Sequence, residues 1–432
     1  MPDAKTKKTG KRSRTGTPPM FQAPVGMPDV LPKDGERLKY FWQTGLLVSE
    51  LHDFHFIETP IAETSDLFTR VHNDPEEAEK ELMTYKHKKL GTLALRTEAS
   101  APIMRSYIEN HLGYFASPLK VFYWGPVFPR GETSMIRQWG FKIIGDSDPI
   151  YDAEMITATL NFLNMLKIKQ PLVKLNSAGC RVCRGNYREK LKTFCESKKE
   201  ALCAECAKGY EQAPLMFMEC KKEQCLTARK EAPIIFDFLC QNCNNHLKAV
   251  LEIVEDNGIS YEPDPYLMRA SDRFNRTVFE IYTPSLPVAV AEGGRCDYLS
   301  ELIGGRMIPT TGARISFEGI MDAWNASETI LPLKTKPRIF FAAVGEQARK
   351  GSVRLMKMLR DAGIAVVEAV GKKSLKAQLK AAERAQAPFA LMYGQKEVFE
   401  KSVIFRDMRS GAQETITIER LVETVKQKMK SV

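Results

Sequence analysis

The apolar residues of the 432-residue chain follow helical spacing in some segments and strand-like patterns in others, and the segment at 35–53 predicts a helix. Residues 35–53 have apolar side chains close to helical spacing, at Leu38, Phe41, Trp42, Leu46, Leu47 and Leu51. Residues 277–282 are rich in β-branched and aromatic residues and predict a strand, whereas the small apolar residues at 286–291 predict a second, doubly buried strand. An amphipathic helix is predicted at 150–167, where acidic residues near its start suit the helix dipole.

From residue 336 onward, short apolar runs alternate with amphipathic segments. The runs predict strands at 339–344, 364–369, 389–393, 403–405 and 414–416. The amphipathic segments predict helices at 346–361, 374–386 and 419–430. This order is typical of βαβ units, so we expect an α/β domain with a mostly parallel sheet.

The charge balance favours an acidic partner without proving one. The net charge is +10 and the sequence pI is about 9.0. Residues 1–20 are rich in Thr, Gly and Pro and carry several cations, which predicts a disordered basic tail that is either solvated or in contact with RNA phosphates. No apolar run reaches the length of a membrane span, so we expect globular domains without membrane contact. The paired cysteines described next favour a reducing compartment, so the protein is expected in the cytoplasm.

Eight of the ten cysteines occur in short-spaced pairs. The pairs are Cys180 and Cys183, Cys203 and Cys206, Cys220 and Cys225, and Cys240 and Cys243. Zinc takes four thiolates in its tetrahedral structural sites, so eight ligands suffice for two zinc ions in a reducing compartment. The alternative is a set of buried reduced thiols, and the spacing leaves open which pairs share a site.

Residues 266–306 contain five arginines and two glycine pairs. The donor forks of Arg269, Arg276 and Arg295 suit carboxylate or phosphate groups, and Gly293-Gly294 allows a tight turn or close approach to a ligand. On this pattern alone, a hairpin with surface arginines is an equal alternative.

The same stretch resembles the signature of histidyl-tRNA synthetases. Their Arg-Gly-Leu-Asp-Tyr-Tyr-(Thr/Asn)-Arg-Thr-Val-Phe-Glu corresponds to residues 269–280, and their Gly-Gly-Gly-Arg-Tyr-Asp to residues 292–297. The resemblance implies α/β architecture with an α+β catalytic core, in which a class II synthetase antiparallel sheet is flanked by helices. It implies that Arg269 is catalytic, because a fixed cation stabilises charge on the substrate carboxylate and the α-phosphate. It also places Arg273, Phe274, Gly293 and Gly294 at substrate-binding positions.

Two further segments carry the resemblance. Residues 56–60 resemble motif 1 of class II synthetases, which builds a dimer interface, so a homodimer is expected. Residues 93–102 resemble the segment whose Glu, here Glu98, receives the ammonium of the amino acid, followed by Ala99 and a hydroxyl at Ser100. Ser100 also suits the N-cap of a helix, and the two roles are compatible.

Residues 120–132 resemble motif 2, in which Arg130 contacts the α-phosphate of ATP as a catalytic group and Glu132 lies on the adenine side. Gln138 matches the family's substrate-binding glutamine. Lys142 replaces the glutamate that reads histidine. At about 4 Å and an effective dielectric near 20, this change turns roughly 4 kcal/mol of attraction for a cationic ligand into repulsion.

Residues 313–320 resemble motif 3, whose arginine on ATP is replaced by Gly319, and Arg314 is the nearest candidate to replace it. Together with Glu292 and Cys296, these substitutions place several departures from the family at ligand-contacting positions. The C-terminal region resembles an anticodon-binding domain, with Lys372, Lys373, Lys376 and Lys380 as RNA-backbone contacts. For these lysines, a solvated basic face is the alternative.

The predicted organisation is a tail at 1–20, a synthetase-like core at 21–330 that contains a cysteine-rich insertion at 174–250, and an anticodon-binding-like domain at 331–432. The resemblance implies ATP-dependent attachment of histidine to tRNA, with Mg²⁺ accompanying ATP. A second hypothesis is a non-catalytic or re-specified RNA-binding paralogue. A regulatory subunit of ATP phosphoribosyltransferase ranks lower, because it usually lacks the C-terminal domain. A zinc-ribbon nucleic-acid binder would leave residues 266–306 unexplained.

Overall fold

The computed structural model describes residues 21–72, 75–129, 134–332, 339–368 and 371–430, so the predicted tail at 1–20 lies outside the described residues. The chain divides into two compact units, Met1–Leu331 and Pro332–Val432. Among the described residues, no helix combines the length and the apolar character that a membrane crossing requires.

The first unit contains helices and strands in mixed order. Its helices are α1 (Pro32–Leu51), α2 (Ser65–Thr69), α3 (Pro75–Glu81), α4 (Ser100–Glu109), α5 (Ile150–Met165), α6 (Arg181–Ser197), α7 (Ala204–Gly209), α8 (Met216–Glu219), α9 (Glu223–Arg229), α10 (Gln241–Asp256), α11 (Leu299–Leu302) and α12 (Phe317–Ala326). Its strands are β1 (His55–Phe56), β2 (Ala62–Thr64), β3 (Thr84–His87), β4 (Gly91–Leu95), β5 (Leu119–Val127), β6 (Ile136–Ile144), β7 (Leu172–Ser177), β8 (Tyr261–Pro263), β9 (Asn275–Tyr282), β10 (Ala291–Arg295) and β11 (Thr310–Ser316).

Eight strands form the main sheet, in the order β1-β5-β6-β11-β10-β9-β7-β8. Only the two edge pairs, β1 with β5 and β7 with β8, are parallel, and the pairs between them are antiparallel. The antiparallel core sheet expected from the family resemblance is therefore confirmed. A separate small sheet has the order β2-β4-β3.

One face of β6 is apolar and the other carries polar residues. Trp139 and Phe141 are fully buried on the apolar face, where the Trp139 ring lies 6.4 Å from the ring of Phe41 on α1. A Cβ on Gly45 would lie 2.8 Å from Trp139, so this glycine allows α1 to approach the sheet. Because side chains alternate along a strand, residues 138, 140 and 142 face the opposite side.

The strand predicted at 286–291 is wrong: β10 begins at Ala291 and extends through the glycine pair to Arg295. Pro284 and Pro287 precede it and lack the backbone N–H that a central strand needs, so this segment remains a loop. The predicted strand at 277–282 is confirmed as β9, and the helices predicted at 35–53 and 150–167 are confirmed as α1 and α5 with shifted ends.

The second unit contains a five-stranded sheet with helices. Its strands are β12 (Ile339–Ala343), β13 (Val366–Glu368), β14 (Phe389–Tyr393), β15 (Ser402–Asp407) and β16 (Gln413–Thr417), in the order β13-β12-β14-β15-β16. Its helices are α13 (Glu346–Asp361), α14 (Leu375–Arg384), α15 (Gln395–Glu400) and α16 (Leu421–Met429). The expectation of a mostly parallel sheet is wrong for β14-β15 and β15-β16, which are antiparallel. Their connections, 394–401 and 408–412, are shorter than the dozen or so residues that a parallel crossover needs.

Candidate active site

A cavity of about 260 Å³ opens on the polar side of β6, β10 and β11. Its lining includes the predicted substrate-binding residues together with both arginines proposed from motif 3 and the central signature: Glu98, Ala99, Ser100, Gln138, Lys142, Arg269, Arg273, Phe274, Gly293, Gly294 and Arg314. The fold thus brings residues from distant segments to one place. Arg130 and Glu132, the predicted motif 2 pair, lie outside the described residues.

Sequence reasoning missed five residues of the lining, which are Tyr123, Glu219, Ser271, Gly312 and Ala313. Tyr123 fills the space above Gly140, where a Cβ would lie 2.2 Å from its ring. Burial raises the pKa of Tyr123 to about 12, so its hydroxyl keeps its proton at neutral pH. Gly312 and Ala313 are small residues just before Arg314, and this was the sequence signal that a ligand could approach the backbone there.

Four charged residues, Arg269, Glu280, Glu292 and Arg314, neutralise one another, and we call them the paired cluster. Three of them lie on the adjacent strands β9, β10 and β11, and Arg269 lies in the loop before β9. Arg269 donates to Glu280 at 2.8 Å and to Glu292 at 2.9 Å, and the Nε of Arg314 donates to Glu292 at 2.8 Å. In the strand register, Glu292 lies opposite both Glu280 and Arg314. Burial alone would raise the pKa of Glu292, but Arg314 and Arg269 lower it to about 2.

Four other residues, Glu98, Lys142, Arg273 and Cys296, form what we call the lysine end of the cavity. Lys142 is only 4% exposed, and a Cβ on Gly312 would lie 3.0 Å from its Nζ, so the glycine gives this side chain its space. Within the described ranges, the single hydrogen-bond partner of this Nζ is the Cys296 Sγ at 3.9 Å. Burial raises the pKa of the Cys296 thiol, so it offers Lys142 no negative charge at neutral pH.

Glu98, the predicted acceptor of an ammonium group, already has two hydrogen-bond donors and one ion-pair partner. Its carboxylate accepts the backbone N–H groups of Ser100 and Ala101, both at 2.7 Å, and lies 3.3 Å from Arg273 Nη1. Burial raises its pKa, yet Arg273, the Ala101 N–H and Lys142 together lower it below the ordinary value. Glu98 is therefore ionised, and both nearby cations interact with it.

The motif 3 segment runs from β11 into α12. Gly319, at the position of the family's arginine, donates its N–H to Ser316 Oγ at 3.1 Å, which caps the helix. A Cβ on Gly319 would meet only Ser316, at an ordinary distance of 3.6 Å. The neighbouring Glu318 forms an ion pair with Arg137, whose Nη1 lies 2.9 Å from the Glu318 Oε1. Arg314, the candidate to replace the family's arginine, already has a carboxylate partner in Glu292.

The cysteines assemble into two groups of four. Within each group the sulfur atoms lie within 4.8 Å of one another, and the groups are Cys180, Cys183, Cys240 and Cys243, and Cys203, Cys206, Cys220 and Cys225. Sulfur pairs at 3.5, 3.9 and 3.8 Å are close to the roughly 3.8 Å edge of a tetrahedron with zinc–sulfur bonds of about 2.3 Å. We call them the outer and the inner cysteine cluster, because the second group lies within the sequence span of the first.

Backbone N–H groups support both clusters. The Cys206 N–H lowers the pKa of Cys203 to about 7, and the Cys243 N–H does the same for Cys240. Burial raises the pKa of four other thiols, those of Cys183, Cys206, Cys225 and Cys243, so the lowering is confined to one cysteine in each cluster. A lowered thiol pKa favours the thiolate, which is the form that binds metal. The donor set therefore fits a four-thiolate zinc ion at each cluster.

The cysteine-rich insertion also reaches the cavity. Arg184, next to Cys183 and 2% exposed, donates to the carbonyls of residues 269 and 270 at 3.0 Å and of residue 271 at 3.2 Å. Glu219, next to Cys220, lies beside Arg269 and the N–H of Ala270. We call residues 269–271 the cavity loop. In each cluster, one cysteine thus has a sequence neighbour that contacts this loop: Arg184 follows Cys183, and Glu219 precedes Cys220.

The four lysines predicted to contact RNA lie in the second unit. Lys372 and Lys373 precede the Ser374 N-cap of α14, and Lys376 and Lys380 follow on that helix, four residues apart. All four are exposed. Their arrangement can meet a run of phosphates, and it equally suits a solvated helix face.

Known proteins match the chain over nearly its whole length. A family model described as Histidyl-tRNA synthetase matches residues 26–320, and one described as Anticodon binding domain matches residues 329–428. The histidine–tRNA ligase of Natranaerobius thermophilus is 32% identical over 417 residues, covering 94% of this chain and 99% of the relative. The apo histidyl-tRNA synthetase structure of S. aureus has a TM-score of 0.79 and 28% identity, covering 94% of this chain and 99% of that chain.

A structure described as an ATP phosphoribosyltransferase regulatory subunit/histidyl-tRNA synthetase from Bacillus halodurans is also similar. Its TM-score is 0.64 and its sequence identity 20%, covering 88% of this chain and 99% of that chain. At this identity, the likeness shows the fold alone.

Proposed function

Because the chain belongs to the histidyl-tRNA synthetase family, we propose that it performs the family's type of reaction, the ATP-dependent attachment of an amino acid to tRNA. ATP with Mg²⁺ is the co-substrate, and histidine is the amino acid that the family implies. The observation that supports this proposal is the convergence of Glu98, Ser100, Gln138 and Arg269 on one cavity above the antiparallel sheet. Arg269, with Arg130 from motif 2, supplies positive charge for the carboxylate and the α-phosphate.

The test is amino-acid-dependent exchange of pyrophosphate into ATP, with all twenty amino acids run separately on the purified protein. Exchange with any of them supports the proposal. Arg269→Ala is expected to reduce the rate at least about 100-fold, the usual effect of removing one charge-stabilising donor. Arg306→Ala, which lies outside the cavity, is the matched control and should leave the rate unchanged. No exchange with any amino acid would contradict the proposal.

A second candidate is a tRNA-binding paralogue without ligation activity. It is favoured by the paired cluster, in which Glu292 already occupies both Arg269 and Arg314. In either case, tRNA binding is proposed to use the lysines around α14. The double variant Lys376→Glu/Lys380→Glu is expected to weaken tRNA binding and flatten its salt dependence, whereas Lys396→Glu on α15 should not.

We further propose that each cysteine cluster holds one structural zinc ion and that the protein is a homodimer. Exposed apolar side chains surround the motif 1 segment, at Trp42, Leu47, Leu51, Phe56 and Ile61. Exposed apolar patches are typical of protein interfaces, and we propose that these residues contribute to one. Light scattering on the full-length protein, with Leu51→Glu/Phe56→Glu as the disrupting variant, tests the dimer, and metal analysis tests the zinc.

A further inference from the structure

The lysine end of the cavity carries more positive than negative charge. Lys142 and Arg273 face one carboxylate, Glu98, which also accepts two backbone N–H groups. The thiol of Cys296, the hydrogen-bond partner of Lys142, is held neutral by burial. A buried, incompletely compensated ammonium is costly, and an anion in the cavity would remove that cost.

Three unpartnered polar atoms indicate which chemical groups a ligand of this cavity carries. Among the described residues, the Nε of Arg273, the Oγ of Ser271 and the Oε1 of Gln138 are buried without a hydrogen-bond partner. All three residues line this cavity. Buried polar groups in proteins are normally satisfied, so such a concentration indicates that a ligand supplies the partners. Arg273 Nε and Lys142 need acceptors, whereas Gln138 Oε1 needs a donor.

The strand geometry separates these two needs. Gln138 and Lys142 lie four residues apart on the same face of β6, with Gly140 between them. A ligand lying along this strand would present an N–H donor near Gln138 and an acceptor near Lys142. A carboxylate offers two oxygen atoms to the two cations, whereas a neutral imidazole offers one acceptor nitrogen and an imidazolium offers none.

We infer that the cavity binds an acidic amino acid, with its ammonium near Gln138 and its side-chain carboxylate between Lys142 and Arg273. The inference rests on the proposed function only in treating the cavity as the amino-acid site. Lys142 is then the residue that determines specificity, and histidine is a poor ligand.

The test is isothermal titration of the full-length protein at low ionic strength with L-glutamate, L-aspartate, their amides L-glutamine and L-asparagine, L-histidine, and glutarate, which lacks the amine. We expect one acidic amino acid to bind at least tenfold tighter than its own amide, histidine and glutarate. Lys142→Met should remove this preference, and Lys142→Glu should shift it towards histidine. Lys120→Met, on the neighbouring strand and paired with Glu154, is the matched control and should change nothing.

Several outcomes would overturn the inference: histidine binding at least as tightly as both acidic amino acids, no measurable binding of either acidic amino acid, or an unchanged preference in a folded Lys142→Met protein. Far-ultraviolet circular dichroism shows whether each variant is folded. The exchange assay separates this inference from the proposed function. Acidic amino acid binding without any exchange would sink the ligase proposal alone, whereas histidine-dependent exchange would sink the present inference alone.

Discussion

The paired cluster and the lysine end lie in the same cavity, each with two cations, yet their charges are balanced in opposite ways. In the paired cluster, Arg269 and Arg314 meet two carboxylates at ordinary hydrogen-bond distances. At the lysine end, Lys142 and Arg273 share Glu98 alone. The comparison teaches that arginines and lysines in a cavity cannot be counted as ligand contacts until their protein partners are known. The lysine end therefore has more binding capacity left for an anion than the paired cluster has.

If each cysteine cluster holds zinc as proposed, removing the zinc should have the largest effect, because it should disorder the loop that carries residues of both the paired cluster and the lysine end. Arg184 and Glu219, which hold the loop between them, are sequence neighbours of cluster cysteines. A four-thiolate zinc site contributes on the order of 10 kcal/mol of binding free energy to folding. Cys220→Ser, or a strong chelator, should lower the thermal unfolding midpoint and abolish ligand binding, with zinc content measured in parallel.

Cys195→Ser is the matched control for that experiment. Cys195 is a fully buried cysteine that belongs to neither cluster. We expect it to retain two zinc ions per chain and ligand binding. Equal losses in both variants would mean that packing, rather than metal, holds the insertion together.

Arg184→Leu should remove the hydrogen bonds between the cysteine-rich insertion and the cavity loop without changing any cysteine that is proposed to bind zinc. The change leaves three carbonyls without their buried donor, so the free energy of unfolding should fall by about 3–5 kcal/mol in urea denaturation. Arg188→Leu removes only the half-exposed partner of Asp272 and should cost less than about 1 kcal/mol. Similar losses for the two variants would contradict the role given to the Arg184 clamp.

Glu292→Gln should make the paired cluster resemble the lysine end. With one charge removed, Arg269 and Arg314 become available to a phosphate group. ATP affinity should rise about tenfold, which corresponds to about 1.4 kcal/mol. Glu280→Gln, which touches Arg269 but not Arg314, should give a smaller rise. Calorimetric titration with ATP measures both, and an unchanged affinity in Glu292→Gln would show that neither arginine faces the nucleotide.

The smallest expected effect is a pH dependence of stability confined to the acidic range. Because the folded-state pKa of Glu292 is lowered from its ordinary 4.5 to about 2, its stabilisation is complete above pH 4.5 and is lost as pH falls towards 2. The difference in unfolding free energy between wild type and Glu292→Gln should therefore shrink between pH 6 and pH 3. A constant difference across this range would show that Glu292 is not ionised in the folded protein.

The sequence was sufficient for the elements with a strong pattern and for the family. Helix α1, strand β9 and the alternating C-terminal elements follow directly from apolar spacing and composition. The strand predicted at 286–291 does not form because Pro287 lies within it and Pro284 just before it, and neither has the backbone N–H that a central strand needs. The antiparallel edge of the second sheet could have been foreseen from its short connections.

The site was less accessible to sequence reasoning, because its chemistry depends on strand register and side-chain direction. Glu292 counted only as a departure from the family, and its pairing with Arg314 appears once β10 and β11 are aligned. The grouping of the cysteines was open, since spacing does not tell which pairs meet. Glu219 carried one weak signal, its place next to Cys220, and Arg184 carried none beyond its place next to Cys183.

The nesting of the two cysteine clusters has a consequence for how the chain is assembled during synthesis. The inner cluster closes within residues 203–225, whereas the outer cluster must wait for Cys240 and Cys243 to join Cys180 and Cys183. Closing the shorter loop has the smaller entropic cost, and its last cysteine also leaves the ribosome earlier. We therefore expect the inner cluster to form first, and the contacts of Arg184 to the carbonyls of residues 269–271 to be fixed later, when the outer cluster closes.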